Sequence, residues 1–468
     1  MNTAHNIKWY GANDVDSSFP KFWAFKGMDA LYENMVWPFL VNTNYENLIQ
    51  EAGDSIQITK PLPFATQRTG DYVDKRLQDA KLDKITAVLD QPYDVTFILK
   101  DRERSLSQEE LVSRFAVPAT MELAQTINRK LSLTAMLTAY AANHISGGLG
   151  TMSGTNARSF VLDANLALNN QKCPPAQRQI IWTPQQMRYL QDTSIYFAAN
   201  QRGDGGMALR EAMLGRVDAF DHYMTQSGSS ISGFPVIQGA IDHVGGYLKG
   251  ETTLVVNGFD VTETEAVKVG AWVTIAGDAT PYRITAIDLG SGTELVEIKI
   301  DRGLRNPVAH TAVVSVTTTD TVLTSTTFPI GHEDYVTLTG SVTPQVGQMI
   351  SFDITGEGPV YGIMDVTASG ILLDRALEAA VANGAQVNFG PNGEYGIAMR
   401  PDFVTFYSRP QVQNEEKTGA AMYSASAFNI ALRAVLQYEA LKKGMIVSYD
   451  ILCGAKGLDA DQGVLVLG

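Results

Sequence analysis

The stretch DRGLRNPVAHTAVVSV at 301–316 is written a second time, with changes, as DRALEAAVANGAQVNF at 374–389. Asp, Arg, Leu, Val, Ala, Ala and Val recur at matching places. Upstream, VKVGAWVTI at 267–275 is answered by PQVGQMISF at 344–352, with an offset that differs by four residues, as a shortened loop would produce. No other feature constrains the fold as strongly, because one small unit must occur twice in series, over 253–316 and 335–389. Each copy is rich in Val and Ile with glycine turns, so a small barrel or sandwich is expected. Mixed helix and strand text precedes the pair and resumes at GEYGIAMRPDFVTF, which makes residues 246–392 an insertion into a host fold.

The host is large enough to carry it. A chain of 468 residues exceeds what one core supports, and 45% hydrophobic with 18% charged residues is a globular composition. The net charge of −14 argues against a nucleic-acid-binding domain, which neutralises phosphates with clustered Lys and Arg. No long apolar run and no charged-then-apolar leader pattern occur, so neither a membrane span nor a secretory signal is expected. Cys173 and Cys453 stand alone, without C-x-x-C spacing, and read as reduced structural thiols.

Along the chain, the first 45 residues hold ten aromatics, among them Trp9, Phe22, Trp23 and Trp37, at no regular spacing. Such a segment reads as an arm that docks on a neighbour. GDSIQITKP (53–61) alternates as a strand does, PYDVTFILK (92–100) reads as its returning partner, and the charged text between them, with Arg68, Lys75 and Arg76, reads as the tip of an extended loop. Ser107 and Glu110 form a capping box that opens a long helix to about Ala142, which Pro118 should kink or split. From 160 to 245 a helix, the strand RQIIWT, a helix opened by Thr183-Pro184 and a further strand give an α+β unit.

The most site-like stretch is DAFDHY at 218–223, two carboxylates and an imidazole in a short run. As a strand it puts Phe220 and His222 on one face and Asp221 and Tyr223 on the other, so acid and imidazole diverge. GDGG at 203–206 lacks the frame of a phosphate-binding loop. The six histidines have no metal-ligand spacing, and no G-x-S-x-G occurs. The sequence therefore assigns no catalytic, cofactor-binding or metal-binding residue and implies no cofactor. A glycosidase-type carboxylate pair stays open, since its members need not be neighbours in sequence.

In order, GDSIQITKP, LDQPYDVTFILKDRERSLSQEELVSRFAVPATMELAQTINRKL, GMALREAMLGRVDAFDHYMTQS and the ending YDILCGAKGLDADQGVLVLG resemble the major capsid proteins of tailed bacteriophages with the Hong Kong 97 type fold, in the podovirus branch with an inserted β domain. The resemblance implies an α+β chain that is not an enzyme: an N-terminal arm (1–48), an extended loop (49–100), a spine helix with peripheral domain (101–145), an axial domain (146–245), the inserted β domain in two repeats (246–392), and a return through axial and peripheral domains (393–468). It implies self-assembly into hexamers and pentamers of an icosahedral shell in the virion, put together in the host cytoplasm. Scaffolding, portal and decoration proteins would be partners, and double-stranded DNA would be enclosed without sequence-specific binding or any membrane. The expected intersubunit contacts are Trp9, Phe22, Trp23, Trp37, Arg68, Lys75 and Arg76. The alternatives are a carbohydrate-active enzyme and a tail or adhesin protein with a β-rich appended domain.

Overall fold

In a computed structural model, Val15–Asn34 form a 20-residue helix, α1, in the segment expected to be irregular. The reason is a stripe at helical spacing: Trp23, Ala24, Met28 and Leu31 are buried, with Gly27 among them. Gly27 is required by close approach, since a Cβ there would lie 2.9 Å from the Tyr449 ring. The structure describes residues 15–44, 55–59, 84–89, 91–100, 108–147, 152–193, 215–259, 267–289, 295–317, 323–324, 326–340, 343–352, 358–368, 370–409, 421–427 and 430–468. Two units divide the chain, residues 1–127 with 405–456 and residues 128–404 with 457–468.

In the first unit, α1 packs against the antiparallel strands Ala421–Ala427 and Ile430–Glu439. They continue through Gly444–Gly457 to Val404–Arg409 as one sheet. The strand Gln91–Lys100 also joins this sheet, its residues 91–100 opposite 453–444. The expected partnership of GDSIQITKP with PYDVTFILK is therefore corrected. Ser55–Thr59 pairs instead with Lys84–Val88, as a two-stranded ribbon. The text 92–100 alternates as a strand regardless of partner, and a partner more than 300 residues away leaves no local trace (Thr96 and Ser448 share a hydroxyl hydrogen bond of 2.8 Å).

The helical run starts as α2, Gln108–Leu111, widens into a π turn at Val112–Ala116, and continues as α3, Val117–Ala141. The expected disruption at Pro118 takes the form of this wide turn just ahead of it. Pro118 has no N–H for the carbonyl one turn back, and a wider turn avoids that missing bond without breaking the helix. Ser107 lies outside the described residues.

The second unit is built on a seven-stranded sheet. Its order is Ile145–Gly147, Gly463–Leu467, Gly393–Met399, Gln179–Trp182, Phe220–Met224 and Arg216–Val217, with Ser229–Ile231 pairing on Gly393–Tyr395. Helices α4 (Ala157–Asn170) and α5 (Pro184–Gln191) cover it, and Phe160, Val161, Leu168, Ile180, Trp182, Leu190, Val464 and Val466 share the core. Thr183 caps α5, with Gln186 completing the reciprocal box. The ending YDILCGAKGLDADQGVLVLG is divided: Gly444–Gly457 belongs to the five-stranded sheet and Gly463–Leu467 to this one.

Among the described residues between Ile231 and Gly393, the regular structure is β alone. Val236–Ile241, Thr253–Asn257, Trp272–Ile275, Asp278–Asp288, Glu297–Ile300 and Val313–Thr317 close a six-stranded barrel around Leu254, Tyr282, Ile284, Ile298 and Val314. Its first strand precedes residue 246. Beyond it, Met349–Ser351, Val360–Thr367, Gly370–Leu373 and Asn388–Phe389 form a four-stranded sheet, and Leu323–Thr324 pairs with Leu338–Thr339.

Several backbone hydrogen bonds of the two β units correspond. Gly270 N–H to Ile284 O matches Gly347 N–H to Ile363 O, and both glycines have φ near +90°. Asp301 N–H to Arg283 O matches Asp374 N–H to Gly362 O, and the reciprocal pair between Tyr247 and Val308 matches that between Phe328 and Val381. Even carboxylates repeat: Asp301 Oδ1 accepts from Arg283 N at 2.9 Å and Asp374 Oδ1 from Gly362 N at 2.8 Å.

Candidate assembly surface

DAFDHY is a hairpin, not one uninterrupted strand. Asp218 and Ala219 both have positive φ, +48° and +76°, the geometry of a two-residue turn that joins Arg216–Val217 to Phe220–Met224. Arg158 holds the turn by donating from Nε to Asp218 at 3.2 Å. Phe220 is buried and His222 nearly so, on the face predicted for them. Trp182 Nε1 donates to His222 Nδ1 at 2.9 Å, so Nδ1 is the acceptor and the proton sits on Nε2, 3.2 Å from Val217 O. Both ring nitrogens are thus engaged in holding the sheet together. Asp221 faces Arg216 at 3.9 Å on the other side.

The aromatic segment divides by burial. Trp23 is 0% exposed, with its ring centroid 6.5 Å from that of Phe97, and Tyr449 Oη donates to its carbonyl at 3.2 Å. Burial pushes the Tyr449 hydroxyl pKa up. Trp37 is 1% exposed in the turn Trp37–Phe39, and Asn42 O just beyond accepts from Phe406 N–H and Thr405 Oγ1. Both indoles, expected at subunit contacts, are therefore enclosed by their own chain and present no surface to another. Phe22 is half-buried. Trp9, Arg68, Lys75 and Arg76 lie outside the described residues.

What faces outward is a different set. Phe25 is 54% and Phe39 50% exposed, with ring centroids 5.6 Å from Tyr423 and 5.8 Å from Tyr32. Leu441, at the tip between two strands, is 94% exposed. The helical period could have singled out Phe25, which lies opposite the buried stripe; nothing local marks Phe39.

In the second unit a cleft of about 840 Å³ lies between α4 and the barrel, lined by Phe160, Asp163, Leu166, Asp278 and Arg305 among others. Its two carboxylates do not make a catalytic pair. Asp278 accepts from Tyr282 Oη at 2.7 Å and from the N–H groups of Thr280, Arg305 and Asn306. With that many donors its oxygens are held as a structural anchor. Partial burial raises the Asp163 carboxyl above its usual pKa. Among the described residues no three His, Cys, Asp or Glu side chains are placed to hold a metal ion, and no helix is long and apolar enough to cross a membrane. Cys173 and Cys453 are both buried and are not joined in a disulfide.

No protein-family model matches the chain, and no curated protein matches it. Among solved structures it is similar to a chain from Mycobacterium phage Che8, at 11% identity over 92% of this chain and 90% of that one, with a TM-score of 0.43. It is also similar to a chain in the capsid structure of Cyanophage P-SCSP1u (10% identity, 92% and 85% covered, TM-score 0.38). A third is in the asymmetric unit of the mature capsid of bacteriophage PhiM1 (8% identity, 89% and 82% covered, TM-score 0.37).

Proposed function

We propose that the chain is the major capsid protein of a tailed bacteriophage, of the Hong Kong 97 type, whose copies assemble into an icosahedral shell around double-stranded DNA. The observation that carries this reading is the order of elements among the described residues: a helix, a two-stranded ribbon, a long helix, and a mixed sheet interrupted between Ile231 and Gly393 by β units. An isolated two-stranded ribbon such as 55–59 with 84–88 is marginal in water, which suits a device that rests on a neighbour. Exposed Phe25, Phe39 and Leu441 support the same idea, because large apolar groups in water favour association.

In this reading the ribbon loop with Arg68, Lys75 and Arg76, the outer face of the arm, and Trp9 and Phe22 meet other subunits. The sheet carrying DAFDHY is the axial part, and the two β units are an insertion. Scaffolding, portal and decoration proteins are proposed partners, and assembly takes place in the host cytoplasm. A net charge of −14 suits a wall that binds DNA weakly and can release it. The carbohydrate-active alternative is disfavoured by the saturated carboxylate of Asp278. Concentrated purified protein viewed by negative-stain electron microscopy tests the proposal: closed shells or rings of five and six are expected, and dispersed monomers at all concentrations, with or without scaffold, would overturn it.

A further inference from the structure

The loop that opens with the repeated Asp-Arg pair meets α3 in both β units, at two levels. In the first β unit, the barrel, Arg302 Nη1 donates to Tyr140 O at 2.8 Å, and Arg305 Nη1 donates to Asn143 O at 2.8 Å. These carbonyls stand at the C-terminal end of α3, where the helix dipole favours positive charge, and Tyr140 O also accepts from Asn143 N–H at 3.0 Å. The Arg302 guanidinium also lies over the Tyr140 ring, 4.5 Å from its centroid, and the Trp272 ring packs on that tyrosine at 5.1 Å. Asp301 steadies the loop by accepting from Arg302 Nε at 3.1 Å and from the Arg283 N–H.

In the second unit the donors are reversed. Lys130 Nζ, on the helix, donates to Asp374 O, and Arg129 Nη1 donates to Met364 O at 2.8 Å. Arg375, the counterpart of Arg302, lies over its own unit's Tyr361 instead, at 4.8 Å. The strand backbone at Gly362 comes so close to α3 that a Cβ there would lie 2.7 Å from Leu133. Lys130 is 5% exposed, so its charge is held in a place where water cannot replace the carbonyl.

We propose that the two β units form a two-point clamp on residues 128–143, one loop gripping near Lys130 and its copy near Tyr140, about 15 Å further along the helix axis. The duplication then has a mechanical role: each copy controls the local opening of its own stretch of the helix. This goes beyond the shell reading and is tested on the unassembled subunit, so it stands or falls separately.

The test is amide hydrogen exchange, read by mass spectrometry on the full chain. The double variant Arg302→Ala, Arg305→Ala should speed exchange over 134–143 at least tenfold while the barrel strands 272–284 keep their protection, and Lys130→Met should speed it over 126–133 and spare 137–143. Should the double variant lose barrel protection as well, Arg302→Lys decides the matter, since it keeps the charge while losing the fixed planar fork. An intermediate rise confined to 134–143 supports the clamp. Unchanged helix exchange in a variant whose barrel is intact, or equal acceleration of both stretches by either grip, overturns it.

Discussion

Replacing Trp23 by alanine should unfold the first unit more readily, before any assembly is attempted. The side chain is 0% exposed, and truncating a buried tryptophan costs roughly 3–5 kcal/mol through lost transfer energy and the cavity left behind. In a unit of about 150–250 residues each kcal/mol moves the midpoint by roughly 2–4 °C, so a fall of about 6–20 °C is expected. Trp23 Nε1 has no hydrogen-bond partner, which offers a second, sharper comparison. Trp23→Phe also loses volume but removes a buried unpaired N–H that costs about 1–3 kcal/mol, so it should be far milder than alanine. Differential scanning calorimetry of the unassembled protein, with the first unit followed through near-ultraviolet circular dichroism, measures both. If Trp23→Ala melts like the parent and only assembly suffers, the indole is not enclosed by its own chain and the division of the arm into inner and outer aromatics is mistaken.

Phe25→Ser with Phe39→Ser should leave the subunit's urea midpoint nearly unchanged and reduce particle yield by light scattering; a large loss of subunit stability would make these rings core residues. On the proposal that Arg68, Lys75 and Arg76 meet another subunit, reversing them to Glu should likewise spare melting of the free subunit, as charge changes away from a core do, yet impair assembly; normal shells would remove the ribbon loop from the contacts. Ala219→Gly should stabilise by about 0.5–1 kcal/mol, because a left-handed backbone costs an L-residue roughly 1–2 kcal/mol and glycine returns part of that as unfolded-state entropy. An unchanged or lowered urea midpoint would contradict the turn geometry. A fragment of residues 234–391 should be soluble, β-rich by circular dichroism and cooperative on melting, though less stable than in the whole chain because Arg302 and Arg305 lose their helix acceptors; a random-coil spectrum would show that it depends on its host.

Local features were the readable ones. The helix opened by Thr183-Pro184, the strand within RQIIWT, and Phe220 sharing a face with His222 all follow from chemistry within a few residues, and the structure has them where such patterns put them. The strand pairing at 91–100 was not readable, because any alternating segment is compatible with any edge until the whole sheet exists. Counting aromatics misled for a related reason. Composition says that rings are present, whereas only the helical phase of α1 separates Trp23, facing inward, from Phe25 two places on. Asp301-Arg302 was conspicuous as a repeat, but the carbonyl that Arg302 donates to is supplied by Tyr140 far upstream. The turn at Asp218-Ala219 escaped notice because alanine is a poor choice for positive φ.

Read as copies of one unit, the two β units also differ in what each has been free to change. From Asp301 to Ala312 and from Asp374 to Ala385 the copies keep the same number of residues, while the connections on the amino-terminal side of each loop have drifted in length. Even the left-handed position is kept, filled by Thr311 in one copy and Gly384 in the other. The segment that begins with the helix-gripping loop has been held to length, and the remaining connections have been the territory of variation. A foreign peptide grafted into the chain would accordingly be tolerated in the connection that follows Asp288, and would be rejected anywhere between Asp301 and Ala312.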